Sequence, residues 1–253
     1  MGALHEGHLS LILKSNQICE NTVVSIYLNP AQFSPDEDLE NYPAEIEKDI
    51  ALLSSYKVDV LFMPSDKVMY PNGIKTLEYS NKYFNILEGE SRPSFFNGVS
   101  TIVSKLFDII RPSHAFFGEK DFQQLCVIKK MTHDLKYPIK IISCPTVREK
   151  NGLAMSSRNQ YLNNHEFSLG SKLYKSLQGA KLLIDEGERD SKQIKLTISE
   201  YFNNNSLFNI DYISIADQYT LEEIGGKIEG DILISIAIYL RETRLIDNIS
   251  ISL

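Results

Sequence analysis

Paired cysteines are missing from this 253-residue chain: Cys19, Cys126 and Cys144 lie far apart, with no Cys-x-x-Cys and no histidine pairing. That excludes a disulfide scaffold or a structural zinc site, and it suits a protein of the reducing cytoplasm. Positive charge is also scarce. Lys and Arg number 26 against 33 Asp and Glu, for a formal charge of −7 and a pI near 5.3. This balance argues against nucleic acid or an anionic membrane as the main partner, and the expected ligand is small. No apolar run reaches the roughly 18 residues of a membrane span, and no signal peptide or lipidation signal is visible, so no membrane anchor is expected. Internal repeats and low-complexity segments are absent too. What the chain does have is 43% hydrophobic residues, enough to fill a real core without staples.

The apolar pattern alternates between strand and helix. Thr22 to Leu28 is a β-branched run ending at Asn29-Pro30, and it reads as a buried strand. Pro43 is expected to open a helix with Ile46, Ile50 and Leu53 on one face, ahead of a strand from Val58 to Met63. A second unit follows, with a helix from Val99 to Ile110, a strand from His114 to Phe117, a helix from Lys120 to Leu135 and a strand from Ile139 to Cys144. Repeated βαβ crossovers imply an α/β fold with a Rossmann-like, doubly wound parallel sheet. Past Pro145 the texture changes. Asn151-Gly152 marks a hairpin turn, helices are expected over His165 to Glu186 and Asp190 to Asn203, and strands over Ile210 to Ile215, Ile232 to Tyr239 and Arg244 to Ile251. These define a Rossmann-like nucleotide-binding domain, 1–146, and a smaller α+β domain with an antiparallel sheet, 147–253, acting as a lid.

Three polar clusters carry the chemistry. Met1-Gly2-Ala3-Leu4-His5-Glu6-Gly7-His8 precedes the apolar run Leu9, Leu11, Ile12 and Leu13. A glycine-flanked turn entering a helix offers free N–H groups and a positive dipole end, which suits a triphosphate. Alone, His-x-Gly-His is more often a capped turn than a site. Gly118-Glu119-Lys120-Asp121-Phe122-Gln123-Gln124 and Met155-Ser156-Ser157-Arg158-Asn159 change that, because three phosphate-type clusters in one chain are hard to assign to chance. Asn29, Gln32, Gly118 to Gln124 and Val147 all follow expected strand ends, where ligands of open α/β sheets collect.

With Asn29-Pro30-Ala31-Gln32-Phe33, Leu87-Glu88-Gly89, Arg92-Pro93 and Arg244-Leu245-Ile246-Asp247-Asn248 added in order, the chain resembles the pantothenate synthetase family. These are the pantoate–β-alanine ligases of coenzyme A biosynthesis, a branch of the His-x-Gly-His nucleotidyltransferases. The resemblance implies condensation of pantoate with β-alanine through a pantoyl-adenylate, with ATP as substrate and Mg2+, releasing AMP and pyrophosphate, in a cytoplasmic homodimer. Its nucleotide positions fall on Met1, Gly2, His5, His8, Gly118, Glu119, Lys120, Asp121, Val147, Met155, Ser156, Ser157 and Arg158. His8 matches the family's proton donor. Gln32 and Gln124 match its pantoate amides, Gln32 also bordering the β-alanine site; Asn29 is expected to assist them at the substrate, and Arg92 either meets a substrate or ties down its loop. In the family a first strand and a Pro-Thr precede the position held here by Met1, so the 1–146 domain is expected to lack that strand. Ser94-Phe95-Phe96 stands where Gly- or Thr-His-Phe is usual.

Chemistry supports these roles independently. Carboxylate attack on the α-phosphorus builds charge on phosphate oxygens, so His5, His8 and Lys120 serve as positioned donors, with Ser156, Ser157 and Arg158 closing over the phosphates. Asp121 would hold the Mg2+ of the triphosphate, and Gly118 lets backbone approach the nucleotide. Gln32 and Gln124 orient pantoate without competing as nucleophiles. His114, His133 and His165 match nothing and are expected to be structural. Two alternatives remain: another His-x-Gly-His nucleotidyltransferase, disfavoured by the uncharged amides where a phosphate acceptor would call for basic groups, and a folded but inactive nucleotide-binding or dimer module.

Overall fold

The computed structural model describes residues 2–34, 39, 42, 43 and 45–253, in two compact units, Met1–Pro145 and Thr146–Leu253. In the first unit, α1 (Glu6–Ile18) leads to β1 (Val23–Ser25), a 3-10 turn (Pro30–Gln32), α2 (Ile46–Leu53), β2 (Val60–Phe62), two single-turn helices, α3 (Asp66–Met69) and α4 (Glu88–Ser91), and then α5 (Phe95–Ile110). β3 (His114–Gly118), a 3-10 turn (Glu119–Asp121), α6 (Phe122–Asp134) and β4 (Lys140–Cys144) complete it. β1 pairs in parallel with β2, Val24 opposite Leu61, and β3 with β4, Phe116 opposite Ile142. Parallel pairing demands a crossover, and α2 and α6 supply it.

The two pairs are separate two-stranded sheets among the described residues. The long apolar run at Thr22 to Leu28 is a ladder only over Val23–Ser25, because β2 offers three partners and the chain turns at Asn29 into its 3-10 turn. α1 buries Leu9 and Ile12 with Leu4, Val24, Ile26 and Leu53, while Leu13 stays exposed. α5 begins at Phe95, four residues before the expected Val99, and its Val99, Ile102, Val103 and Phe107 pack with Met69, Tyr70, Ile128 and Met131.

α2 departs from expectation in a way that matters. It starts at Ile46, not Pro43, and Ile46 and Ile50 are exposed while Asp49 and Leu53 are buried. Asp49 is inside because its Oδ1 accepts the backbone N–H of Leu4 at 2.7 Å.

The second unit carries α7 (Asn164–Gly170), α8 (Lys172–Asp185), α9 (Ser191–Glu200) and three antiparallel strands, β5 (Phe208–Asp217), β6 (Ile232–Leu240) and β7 (Thr243–Ile251), in the order β5-β6-β7. The single helix expected over His165 to Glu186 is interrupted at Ser171, whose hydroxyl donates to the Ser168 carbonyl at 2.7 Å, a side-chain bond that competes with the helical ladder. Leu173, Leu177, Ala180 and Ile184 of α8 and Ile194 and Ile198 of α9 pack with Ile232, Ile234, Ile236 and Ile238 of the central strand in one apolar core.

Candidate active site

The His-x-Gly-His stretch folds as the N-terminus of α1. His5 is the N-cap: its Nδ1 accepts the Gly7 N–H at 3.2 Å, and the His8 Nδ1 accepts the His5 N–H at 3.4 Å, a reciprocal capping box built from two imidazoles. The sequence therefore needs no choice between capping and chemistry, since both rings cap with one nitrogen and leave the other. A backbone N–H only donates, so each Nδ1 holds a lone pair and each neutral ring carries its proton on Nε2. The ring centroids lie 4.0 Å apart. Burial first, and then the Lys120 charge, lower the His5 pKa to about 4, with Asp121 pulling the other way. Burial, the neighbouring His5 and Lys120 hold His8 well below its ordinary value. Two neutral Nε2–H donors side by side are the result.

Lys120 and Asp121 reach this pair because α1 packs on β3 and β4, and their 3-10 turn leaves the end of β3. Lys120 Nζ is 3.5 Å from Asp121 Oδ1, and the carboxylate is about half exposed. No atom lies within 4 Å of where a Cβ on Gly118 would sit, so the backbone there borders open space. The loop before α1 is held from inside the unit: Ala3 has φ 48°, and the Leu4 N–H is fixed on Asp49. Met1 lies outside the described residues. Asp49 was not singled out from the sequence, although a charge on the apolar face of a helix is the signal that marks it.

A second group surrounds the 3-10 turn after β1. Asn29 is 2% exposed and fully engaged: Oδ1 accepts from Tyr70 Oη at 2.6 Å and the Ala31 N–H at 3.3 Å, and Nδ2 donates to the Gly98 carbonyl at 3.1 Å and Gln32 Oε1 at 3.3 Å. It shapes the turn, with Gln32 the half-buried amide beyond it. Arg92 donates to the Gln32 backbone carbonyl at 3.4 Å and stacks 3.8 Å over the Phe95 ring, which ties its loop to α5 and the turn. On α6, the half-buried Gln124 makes no side-chain hydrogen bond among the described residues. Its neighbour Gln123 is the buried one. It donates to the carbonyls of Tyr83 and Ile86, both at 2.7 Å, and accepts the Glu88 N–H at 3.0 Å, clamping the loop whose Leu87 has φ 48°. Sequence reasoning gave Gln123 no role, because adjacent helical residues look alike until burial separates their faces.

The third cluster belongs to the second unit. The Asn151-Gly152 turn is present, with Gly152 at φ 97° and the Leu153 N–H on Asn151 Oδ1 at 3.0 Å. The Met155 N–H pairs with the Val147 carbonyl at 3.0 Å, and Ser156 caps the following 3-10 turn (Ser157–Tyr161) by accepting the Arg158 N–H at 3.3 Å. Arg148 anchors this hairpin. It makes a two-pronged bond to the buried Asp247 of β7 at 2.6 and 3.0 Å, donates to the Gly152 carbonyl at 3.2 Å and lies 3.6 Å over the Tyr174 ring. His114, His133 and His165 take no part in these clusters.

A parallel-stranded α/β unit with an imidazole pair capping a helix beside a lysine defines a nucleotide-binding enzyme of the His-x-Gly-His type. The chain belongs to the pantoate–β-alanine ligase family, whose model matches residues 1–250. It is 47% identical over 249 residues to the pantothenate synthetase of Caldicellulosiruptor saccharolyticus, covering 98% of this chain and 88% of that one. The crystal structure of pantothenate synthetase from Thermus thermophilus superposes with a TM-score of 0.93 at 37% identity, covering 98% of this chain and 90% of that one. The pantoate–β-alanine ligase of Francisella tularensis, crystallised with β-γ ATP and β-alanine, matches with a TM-score of 0.78 at 36% identity over 98% of this chain and 86% of that one. The Rossmann-like α/β class with a smaller antiparallel domain is thereby shown.

Proposed function

We propose that the chain condenses pantoate with β-alanine in two steps. A pantoate carboxylate oxygen attacks the α-phosphorus of ATP, the bond to the β-phosphate oxygen breaks, and pyrophosphate leaves. The β-alanine amine then attacks the acyl carbon of the pantoyl-adenylate, loses a proton, and expels AMP. The observation that carries this reading is the reciprocal cap of His5 and His8, ring centroids 4.0 Å apart and both Nδ1 atoms occupied, on the helix that packs against β3, whose following turn bears Lys120. Neutral Nε2–H donors and an ammonium group, held before the reaction, stabilise charge growing on phosphate oxygens without reorganisation.

The remaining roles follow the chemistry of each group. Gly2, Gly118 and Glu119 line the nucleotide loops, and Gln32 and Gln124 take pantoate. Val147, Met155, Ser156, Ser157 and Arg158 are read as nucleotide contacts on the hairpin of the second unit, with Ser156, Ser157 and Arg158 as donors. Asp121, its side chain about half exposed on the turn after β3, fits Mg2+ carried in by the triphosphate, since Mg2+ commonly takes one or two carboxylates plus phosphates. Bound there, the ion would neutralise phosphate charge. The three thiols are free, which suits a reducing compartment, and the reading includes a cytoplasmic enzyme acting as a homodimer, as the family resemblance implies. No helix among the described residues is long and apolar enough to cross a membrane.

Incubation with ATP, Mg2+, pantoate and β-alanine should release AMP over many turnovers, and omission of any one should stop it. Comparable multiple-turnover release without β-alanine would overturn the assignment. Transfer of adenylyl to a phosphate ester would instead require basic acceptor-binding groups where Gln32 and Gln124 stand.

A further inference from the structure

An amide has two ends of opposite sense, and the end that faces a substrate decides which group it can take. For Gln32 that choice is made by a chain of contacts anchored on backbone. The Ala31 N–H can only donate, and it meets one end of the Asn29 side chain at 3.3 Å. The Gly98 carbonyl can only accept, and it meets the other at 3.1 Å. Asn29 therefore carries Oδ1 toward Ala31 and Nδ2 toward Gly98, with no freedom to flip. The second hydrogen on Nδ2 points at Gln32, 3.3 Å away, so that end of Gln32 must be its oxygen. Its Nε2 faces away as a donor and has no partner among the described residues.

Tyr70 closes the chain. Its hydroxyl donates to Asn29 Oδ1 at 2.6 Å, the shortest of these bonds, and burial followed by the Asp66 carboxylate pushes the phenol pKa up to about 12, so it stays protonated. The ring is 7% exposed and packs with Val99, Ile102 and Val103, which fixes where the hydroxyl sits. α5 comes this close only because residue 98 is glycine: a Cβ there would lie 2.2 Å from the Ala31 carbonyl oxygen and 2.6 Å from the Gln32 nitrogen.

We propose that Tyr70, Asn29 and Gln32 form a positioning relay that turns the Gln32 Nε2 donor toward an acceptor oxygen of the hydroxy-acid substrate, its carboxylate foremost. Tyr70 is thus a positioning residue for pantoate and not for ATP. The relay rests on the reading of Gln32 as a pantoate contact. An ionised carboxylate offers only acceptors. A Gln32 turned the other way would set a carbonyl against it, and the relay forbids that arrangement.

Steady-state kinetics of the full chain tests this with four variants. Tyr70→Phe removes one hydroxyl and leaves Asn29 Oδ1 its Ala31 bond, so the melting temperature should fall by only a few degrees and the KM for ATP should hold. The KM for pantoate should rise on the order of fivefold, the usual scale of one neutral hydrogen bond. Gln32→Met should raise it more, and Tyr70→Phe added to Gln32→Met should change nothing further. Gln32→Glu keeps an oxygen toward Asn29 and replaces the donor by an acceptor, so it should be worse for pantoate than Gln32→Met. If Gln32→Met harms pantoate use while Tyr70→Phe does not, or if Tyr70→Phe acts equally with and without the Gln32 amide, the relay is wrong and the Gln32 reading stands. A pantoate KM unmoved by Gln32→Met overturns both.

Discussion

Asp49 holds Leu4: across forty-five positions of sequence, its carboxylate accepts the Leu4 N–H at 2.7 Å inside the first unit. This bond fixes the backbone directly ahead of the His5 cap, so the geometry of the proposed phosphate loop depends on a helix that never touches the His-x-Gly-His motif in sequence. Replacing Asp49 by Ala should leave that N–H unsatisfied, at a cost of about 1–3 kcal/mol, and raise the KM for ATP. Asp49→Asn keeps an acceptor and should fall close to wild type. Thermal unfolding and ATP titration read both effects, and an Ala variant with unaltered KM for ATP would remove Asp49 from the loop's support.

The donor role proposed for the imidazole and ammonium groups has a rate signature. His8→Ala and Lys120→Ala should each lower kcat on the order of 10²-fold or more, the scale seen when one preorganised donor is deleted. His8→Ala also removes half of a capping box, worth about 1 kcal/mol of stability, whereas Lys120→Ala carries no cap. A Lys120→Ala enzyme with near wild-type kcat, measured by AMP release, would return Lys120 to an ordinary surface role.

The histidines also predict a pH dependence of known sign. His5 titrates near pH 4 in the folded chain and near 6.5 when unfolded, so at pH 7 both states are neutral and the site contributes its full stability. Between pH 6.5 and 4 the unfolded chain takes up a proton that the folded one refuses, and stability falls with falling pH across that window. His8, lowered in the same direction, adds to the trend. His5→Asn keeps a capping side chain without a titrating ring, so its melting temperature should decline less than wild type over the same window. Parallel melting curves for the two proteins from pH 7 to 4 would contradict the buried neutral state.

In the second unit, Asp247 is the buried partner of Arg148, its side chain 1% exposed. Removing it strands a guanidinium that remains stacked on Tyr174. Asp247→Ala should cost about 3–5 kcal/mol, as for other buried pairs broken on one side, and loosen the hairpin that bears Met155 to Arg158. Urea unfolding and limited proteolysis between residues 147 and 158 would register the loss. A variant as stable as wild type would show the hairpin to be held by its Asn151-Gly152 turn instead.

Much of the candidate site was legible because its residues sit in short contiguous blocks whose spacing is itself the geometry. His5 and His8 share one helical turn, Lys120 and Asp121 leave one strand end, and Ser156 caps the 3-10 turn that Ser157 and Arg158 begin. What escaped is long-range and buried. Asp49, Tyr70 and Gln123 act through hydrogen bonds to chain far away in sequence, one each for Asp49 and Tyr70 and three for Gln123, and helical periodicity, which puts Asp49 on the inner face, does not name the distant groups that bond there.

The sequence by itself determined the alternation of strand and helix, the change of texture at Pro145, the unpaired thiols and the family, since local pattern and motif order suffice for each. Tertiary structure alone decided that Ile46 and Ile50 face outward while Asp49 turns in, that Gln123 is a clamp and Gln124 an open amide, and that Gln32 presents nitrogen. The physical reason is common to all three: which face of an element is buried, and which end of an amide is free, depends on the donors and acceptors that distant segments bring to it.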